Sequence, residues 1–193
     1  VPIASALIID LMDVSGSMGD EEKDIVKTEV FWRDRILERL YAQALGSRYH
    51  GIKRRCVVHT AAAEEVSKEE FYHTQMTGGT LVSVGYKKVR GMVAEEHAGG
   101  MENIYVFHYS DGEMMEADKE ASVKELRQIL PEVNIFGYTQ IGKDESFLNV
   151  LHWQFQEAFK GGDLVASIIV PQEGTSLGEK ILASIKEKLR QGR

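Results

Sequence analysis

Residues 4–17 read Ala-Ser-Ala-Leu-Ile-Ile-Asp-Leu-Met-Asp-Val-Ser-Gly-Ser. Ala4 to Leu11 is apolar apart from Ser5 and Asp10, and it runs into Asp13-Val14-Ser15-Gly16-Ser17, as a buried strand does on entering a functional loop. Val1-Pro2-Ile3-Ala4 precedes it without an initiator Met or a basic segment, so the start does not read as a signal peptide. The expectation is a processed or excised piece of a longer chain.

Working outward, residues 20–45 place Ile25, Val30, Ile36, Leu37, Leu40, Ala44 and Leu45 at three- and four-residue steps, with Gly46 as the stop. This predicts a long amphipathic helix. Arg55 to Thr60 is short and apolar, and Glu64 to Ser67 returns as a second strand after Ala61-Ala62-Ala63, which predicts a hairpin. Thr77-Gly78-Gly79-Thr80 breaks the pattern before a helix at 81–97. Asn103 to Tyr109 is a near-continuous apolar strand ending in Ser110-Asp111-Gly112. A helix over 118–130 stops at Pro131, and Val133 to Ile141 follows as a strand. A helix over 145–160, a strand from Leu164 to Val170 and a closing helix over 176–190 complete the chain, the last with Leu177, Ile181, Leu182, Ile185 and Leu189 on one face.

Short strands that are apolar throughout and alternate with helices predict a doubly wound α/β domain. The sheet is six-stranded and mostly parallel, with one antiparallel edge strand and helices on both faces. Ligands bind such sheets outside the carboxyl ends of the strands, where strand order reverses. Asp13-Val14-Ser15-Gly16-Ser17 and Ser110-Asp111-Gly112 both sit at such ends, so they are expected to converge.

The length, 193 residues with 43% hydrophobic and 27% charged, suits one domain with a single core over residues 1–193. Thirty acidic residues against 23 basic give a net charge of −7, which disfavours nucleic acid and anionic membrane as partners. Cys56 is the one cysteine, so there is no internal disulfide framework and no cysteine-rich zinc site, in keeping with a reducing cytosol. The uncharged runs fall well short of the ~20 apolar residues of a membrane span.

Asp13, Ser15 and Ser17 supply a carboxylate and two hydroxyls at alternate positions, with Gly16 between the serines to let the loop curl. All are hard oxygen donors, the type Mg²⁺ takes. The plainer reading of Ser15 and Ser17 is N-capping of the following helix. Thr80 after a double glycine and Asp111-Gly112 are likewise ordinary loop and turn chemistry taken singly. Their order and location matter more: three oxygen-bearing loops between the right elements, two of them at strand ends.

Asp13-Val14-Ser15-Gly16-Ser17, then Thr80, then Asp111-Gly112 on an α/β pattern resembles the metal-ion-dependent adhesion site of the von Willebrand factor type A domain. The resemblance implies metal ligation by Asp13, Ser15, Ser17, Thr80 and Asp111, the aspartates acting partly through water. More narrowly, the run His59 to Val66, then Glu69-Glu70-Phe71-Tyr72, Gly78-Gly79-Thr80 and Tyr109-Ser110-Asp111-Gly112 is similar to the bacterial YeaH/YhbH stress and sporulation family. Members of that family are longer at the amino end, which implies that this chain is the carboxy-terminal part. They tend to be encoded near a PrkA-type serine kinase and a SpoVR-like protein, so the resemblance implies a cytoplasmic bacterial protein and supplies no reaction.

Other residues invite competing readings. His59 and His108 fall near the carboxyl ends of neighbouring strands, where they either support the site or simply pack and find a hydrogen bond. Asp13 as a phosphoryl-accepting nucleophile is an alternative, although the second aspartate usual two positions on is Ser15 here. No P-loop, nucleophile elbow or dinucleotide fingerprint is present. Met114-Met115 next to Asp111 reads either as an adaptable contact surface or as one core residue beside an incidental one. Trp153 and Phe155 read as core, and Glu179 to Arg193 as a solvated helix face. The expectation is a non-enzymatic interaction module whose Mg²⁺, or alternatively Mn²⁺ or Ca²⁺, accepts an Asp or Glu of a protein partner. The alternatives are a Mg²⁺-dependent phosphoryl-transfer enzyme and a purely structural domain without metal.

Overall fold

In the computed structural model, which describes residues 5–75, 78–101, 103–142, 151–159, 165–169 and 177–190, the strand read at the start of the chain is β1 (Ala6–Asp13). All eight of its residues are buried. The chain continues through α1 (Asp20–Leu45), β2 (Ile52–His59), β3 (Ala63–Val66), α2 (Lys68–His73), α3 (Val82–Ala98), β4 (Ile104–Ser110), α4 (Lys119–Ile129), β5 (Ile135–Ile141), α5 (Leu151–Ala158), β6 (Val165–Ile169) and α6 (Leu177–Arg190). Among the described residues, six strands form one sheet in the order β3-β2-β1-β4-β5-β6. Only the β2–β3 hairpin is antiparallel. The chain leaves β1 toward β2 and β3, then crosses back to place β4 on the other side of β1. The strand order therefore reverses between β1 and β4, and their carboxyl ends open the crevice in which such sheets bind ligands.

The two faces of β1 feed two cores. Leu7, Ile9 and Leu11 pack with Val82, Tyr86, Val89 and Val93 of α3, Leu126 and Ile129 of α4, and Leu151 and Phe155 of α5. Ile8 and Met12 pack with Ile25, Val26, Val30 and Leu37 of α1, Phe71 of α2 and Ile185 of α6. Each fully buried aliphatic or aromatic side chain stabilises the fold by roughly 1.5–3 kcal/mol relative to exposure, which is why both faces of a strand can be apolar here.

Helix α1 is also fastened by charge. Arg33 is 1% exposed; its Nη1 donates to Asp10 Oδ1 at 2.5 Å and to Tyr109 Oη at 2.8 Å, and its Nη2 donates to Asp10 Oδ2 at 3.0 Å and to Asp34 Oδ1 at 2.7 Å. The guanidinium also lies 4.2 Å from the ring centre of Phe107. Burial opposes the Arg33 charge, but Asp10, Tyr109 and Asp34 outweigh it and leave the group more basic than usual. One turn earlier, the Thr139 hydroxyl of β5 donates to the Glu29 carboxylate at 3.1 Å.

Several expectations are corrected in detail. Leu40 points to the inward side by periodicity yet is 50% exposed, because the core cluster takes no α1 residue beyond Leu37. Leu182 is likewise exposed, while Ile185 and Leu189 pack inward. Pro131 does not end the α4 region abruptly but sits in a 3₁₀ turn, Leu130–Glu132. Helix α2 was not anticipated; Ser67 caps it, its hydroxyl accepting from Glu70 N at 3.2 Å while the Glu70 carboxylate accepts from Ser67 N at 2.9 Å. The side chains of Trp153, Leu177 and Ile181, and residues 143–150, lie outside what is described. Among the described residues no helix is long and apolar enough to cross a membrane.

Candidate functional site

The last residue of β1, Asp13, is fully buried. Its Oδ1 accepts from Ser15 N at 2.8 Å, and its Oδ2 accepts from the Ser110 hydroxyl, at the end of β4, at 3.2 Å. The loop that follows is anchored by Val14 N donating to His59 O at 3.0 Å. It curls through Met18 N to Ser15 O and Gly19 N to Ser17 O, which brings the Ser15 and Ser17 hydroxyls within 3.2 Å of each other. Neither serine caps α1. The N-cap is Gly19, whose N–H donates to Glu22 Oε2 at 3.1 Å, so the plain capping reading of Ser15 and Ser17 fails.

The second loop delivers Thr80, which is buried. Leu81 N donates to Thr60 O at 2.9 Å, and Met115 N donates to Thr80 O at 3.1 Å. The Thr80 segment is thereby tied to the end of β2 on one side and to the loop after β4 on the other. In that third loop, Asp111 Oδ1 accepts from Glu113 N at 3.0 Å, while the buried Asp111 Oδ2 has no hydrogen-bond partner among the described residues. Gly112 is obligatory, since its φ is +91° and a Cβ there would lie 2.5 Å from Gln140 Cδ.

Burial raises the pKa of Asp13 above the ordinary carboxyl value, against hydrogen bonds from Ser15 and Ser110 that pull it down. Burial also raises Asp111; the Ser17 side chain and Glu113 N–H oppose this, and the Asp13 and Glu22 charges add to it. Among the described residues no lysine, arginine or histidine forms an ion pair with either carboxylate. Ser15, Ser17 and Thr80 line a cleft of about 540 Å³ with Gly78, Gly79, Glu113 and the two methionines. The five residues singled out from sequence thus gather at the carboxyl ends of β1 and β4. Among the described residues no group of three His, Cys, Asp or Glu side chains is placed to hold a metal, so the oxygen set here is two carboxylates and three hydroxyls.

Sequence reasoning missed Ser110 as a supporting residue. It is fully buried, donates to Asp13 and accepts from Gly112 N at 3.0 Å. The signal was its place at the end of an apolar strand directly before Asp111-Gly112. His59 and His108 are not on neighbouring strands but on the two strands flanking β1. Both are buried, with Nε2 atoms 3.2 Å apart, and His108 Nδ1 lies 2.9 Å from Tyr86 Oη. Burial holds the His59 pKa down at about 4, and burial together with the His59 charge lowers that of His108, which favours the neutral form of both.

The sequence profile of the family described as "Protein of unknown function (DUF444)" matches residues 1–173. The chain belongs to this family. A UPF0229 protein of Shouchella clausii is 32% identical over 142 residues, and one of Bacillus cereus is 31% identical over the same length. Each match covers 74% of this chain and 34% of the relative, so the chain spans about a third of these DUF444 relatives. The pilus adhesin SpaC of Lactobacillus rhamnosus GG superposes with a TM-score of 0.64 at 12% identity, covering 98% of this chain and 30% of SpaC. The manganese-loaded TRAP protein of Plasmodium vivax superposes with a TM-score of 0.57 at 11% identity, covering 95% of this chain and 72% of TRAP. At such identities the likeness concerns the fold, which is von Willebrand factor A-like.

Proposed function

We propose that this DUF444 chain is a divalent-cation-dependent protein interaction module, with Asp13, Ser15, Ser17, Thr80 and Asp111 as the cation-binding set. The observation that carries the reading is a contrast within one strand. Asp10 and Asp13 are both buried on β1, but Asp10 is met by Arg33, while no basic side chain among the described residues pairs with Asp13 or with the neighbouring Asp111. Buried carboxylates left without a counter-charge are costly. The donor set fits a hard cation: oxygen only, few charges, and a buried carboxylate oxygen without a hydrogen bond. When bound, Mg²⁺ or Mn²⁺ supplies the missing positive charge and an electrophilic position for an Asp or Glu of a partner.

The serine hydroxyls, unspent on helix capping, line an open cleft, and Gly16 leaves room beside them. The manganese carried by the TRAP neighbour is consistent with this reading. The phosphoryl-transfer alternative lacks the second aspartate usual two positions on from the nucleophile, where Ser15 stands here. We assign the module to the bacterial cytoplasm, in a stress or sporulation pathway, by resemblance to the YeaH/YhbH proteins, with a PrkA-type kinase or SpoVR-like protein as the partner to try first.

Calorimetric titration with Mg²⁺ and Mn²⁺ tests the site. Wild type binds, and Ser15→Ala/Ser17→Ala binds at least ~tenfold more weakly, the loss of two oxygen ligands. Unchanged binding in the double variant sinks the assignment. A partner complex that survives EDTA counts against the adhesion role.

A further inference from the structure

The cleft is larger than one carboxylate needs. Its volume of about 540 Å³ falls within the range of roughly 300–1,000 Å³ typical of pockets that enclose a drug-sized ligand, so it has room for side chains beside a single acidic one. Its two halves differ in chemistry. One is the oxygen cluster. The other is walled by Met115, which is 49% exposed and whose sulfur lies 3.1 Å from where a Cβ on Gly79 would be. The thioether therefore rests on bare glycine backbone, and the adjoining Gly78 leaves open space.

This apolar wall is fixed in place rather than incidental. Met115 N is bonded to Thr80 O, and the preceding Met114 packs against the α3-side core with its sulfur accepting from the Ser122 hydroxyl at 3.6 Å. The pair thus divides its work: Met114 anchors, and Met115 is presented. Beside it Glu113 is exposed, its backbone is held by Asp111 Oδ1, and its carboxylate forms no ion pair among the described residues. It lies near enough to Asp13 to bear on that group's ionisation.

Resting on the metal-dependent reading above, we propose that the cleft recognises a peptide segment of a protein partner in which the acidic residue is followed by a long apolar side chain and then a basic one. The apolar side chain seats on Met115, and the basic one pairs with Glu113. Methionine suits this role because an unbranched, polarisable side chain adapts to leucine, methionine or phenylalanine alike. The basic residue answers the charge of the chain, whose net −7 repels a uniformly acidic segment.

The test uses four capped pentapeptides, Gly-Asp-Leu-Lys-Gly and its versions with Ser for Leu, Glu for Lys, or both. Binding is followed in Mg²⁺ on protein labelled with ¹³C at its methionine methyl groups, and repeated in EDTA with an Asn version that lacks the acid. The Leu-Lys peptide binds ~tenfold more tightly than the Ser-Lys peptide, the scale of one buried aliphatic side chain, and it alone of these two shifts the Met115 methyl signal. Met115→Ser erases the Leu/Ser difference, and Glu113→Lys reverses the Lys/Glu preference. Equal binding of Leu and Ser peptides, or a Met115 signal that no peptide moves in either condition, overturns the proposal. Asp-dependent binding in Mg²⁺ that ignores the neighbouring residues leaves the metal reading standing and removes the role of the Met115 wall. A Met115 response identical in Mg²⁺ and EDTA leaves the role of the Met115 wall and removes the metal reading.

Discussion

The Ser110 hydroxyl donates to Asp13 Oδ2 at 3.2 Å and accepts from Gly112 N at 3.0 Å, so one buried side chain joins the end of β1 to the loop that carries Asp111. Ser110→Ala removes both bonds and leaves a buried N–H and a buried carboxylate oxygen less satisfied. Chemical denaturation is expected to show a loss of about 1–3 kcal/mol. Mg²⁺ affinity measured by calorimetry falls with it, since Asp13 and the Asp111 loop lose their common brace. A variant as stable and as cation-competent as wild type removes Ser110 from the site.

Asp111→Asn separates the cost of the charge from its use. The Asp111 pKa is raised above the ordinary 3.8 chiefly by burial, with the Asp13 charge adding to it. A carboxyl raised in the folded state contributes stability that is fully present below its unfolded pKa and is lost as pH rises through the folded value. In EDTA, then, the variant gains on wild type as pH rises above about 4 and is the more stable of the two at pH 7. In Mg²⁺ the order reverses, because only wild type is stabilised by the ion. Thermal melts in the two buffers read this directly, and the same order in both would argue that Asp111 binds no cation.

Arg33→Met strands Asp10 in the core. Removing one partner of a buried pair costs about 3–5 kcal/mol, to be read from the shift in denaturation midpoint. Arg33→Met/Asp10→Leu restores most of that, because the second change removes the orphaned charge. A double variant no more stable than the single one would mean that Tyr109 and Asp34 account for the loss.

His59 sets an acid limit on the fold. Its pKa is about 4 in the folded protein against an ordinary 6.5, from burial. A base depressed by folding leaves stability intact above its unfolded pKa and withdraws it as pH falls toward the folded one. Wild type therefore loses stability as pH falls from 6.5 toward 4, with His108 acting in the same direction. His59→Gln flattens that part of the profile measured by urea titration across pH. An unchanged slope would show that another group titrates there.

Much of the fold was legible because β1 and β4 are largely apolar on both faces, are bounded by polar loops and alternate with helices, a combination that fits a covered parallel sheet. The meeting of the three candidate loops was legible from their positions at and beside the strand ends. The inward stripe of α1 was misjudged in part because Glu29 and Arg33 face the sheet, so polar residues occupy positions that a hydrophobic count reserves for leucine. Helix α2 escaped because six residues with one buried side chain, Phe71, give no period; its legible trace was Ser67 with Glu70 three positions on. The meeting of His59 and His108 lay beyond the sequence, since it depends on β1 running between their strands. The division of labour between Met114 and Met115 depends likewise on α4 lying under one of them and on Gly79 lying under the other.

The anchoring of α1 through Arg33 and Glu29 has a mechanical meaning for the loop at its head. Arg33 grips β1 through Asp10 and β4 through Tyr109, and Glu29 grips β5 through Thr139. Three adjacent strands and one helix thus open together or not at all, because peeling the helix away would strip several buried charges of their partners at once. Both ends of the Asp13–Ser17 loop are strung from that single unit. The loop is thereby held between two posts that cannot part without breaking the buried contacts of Arg33 and Glu29.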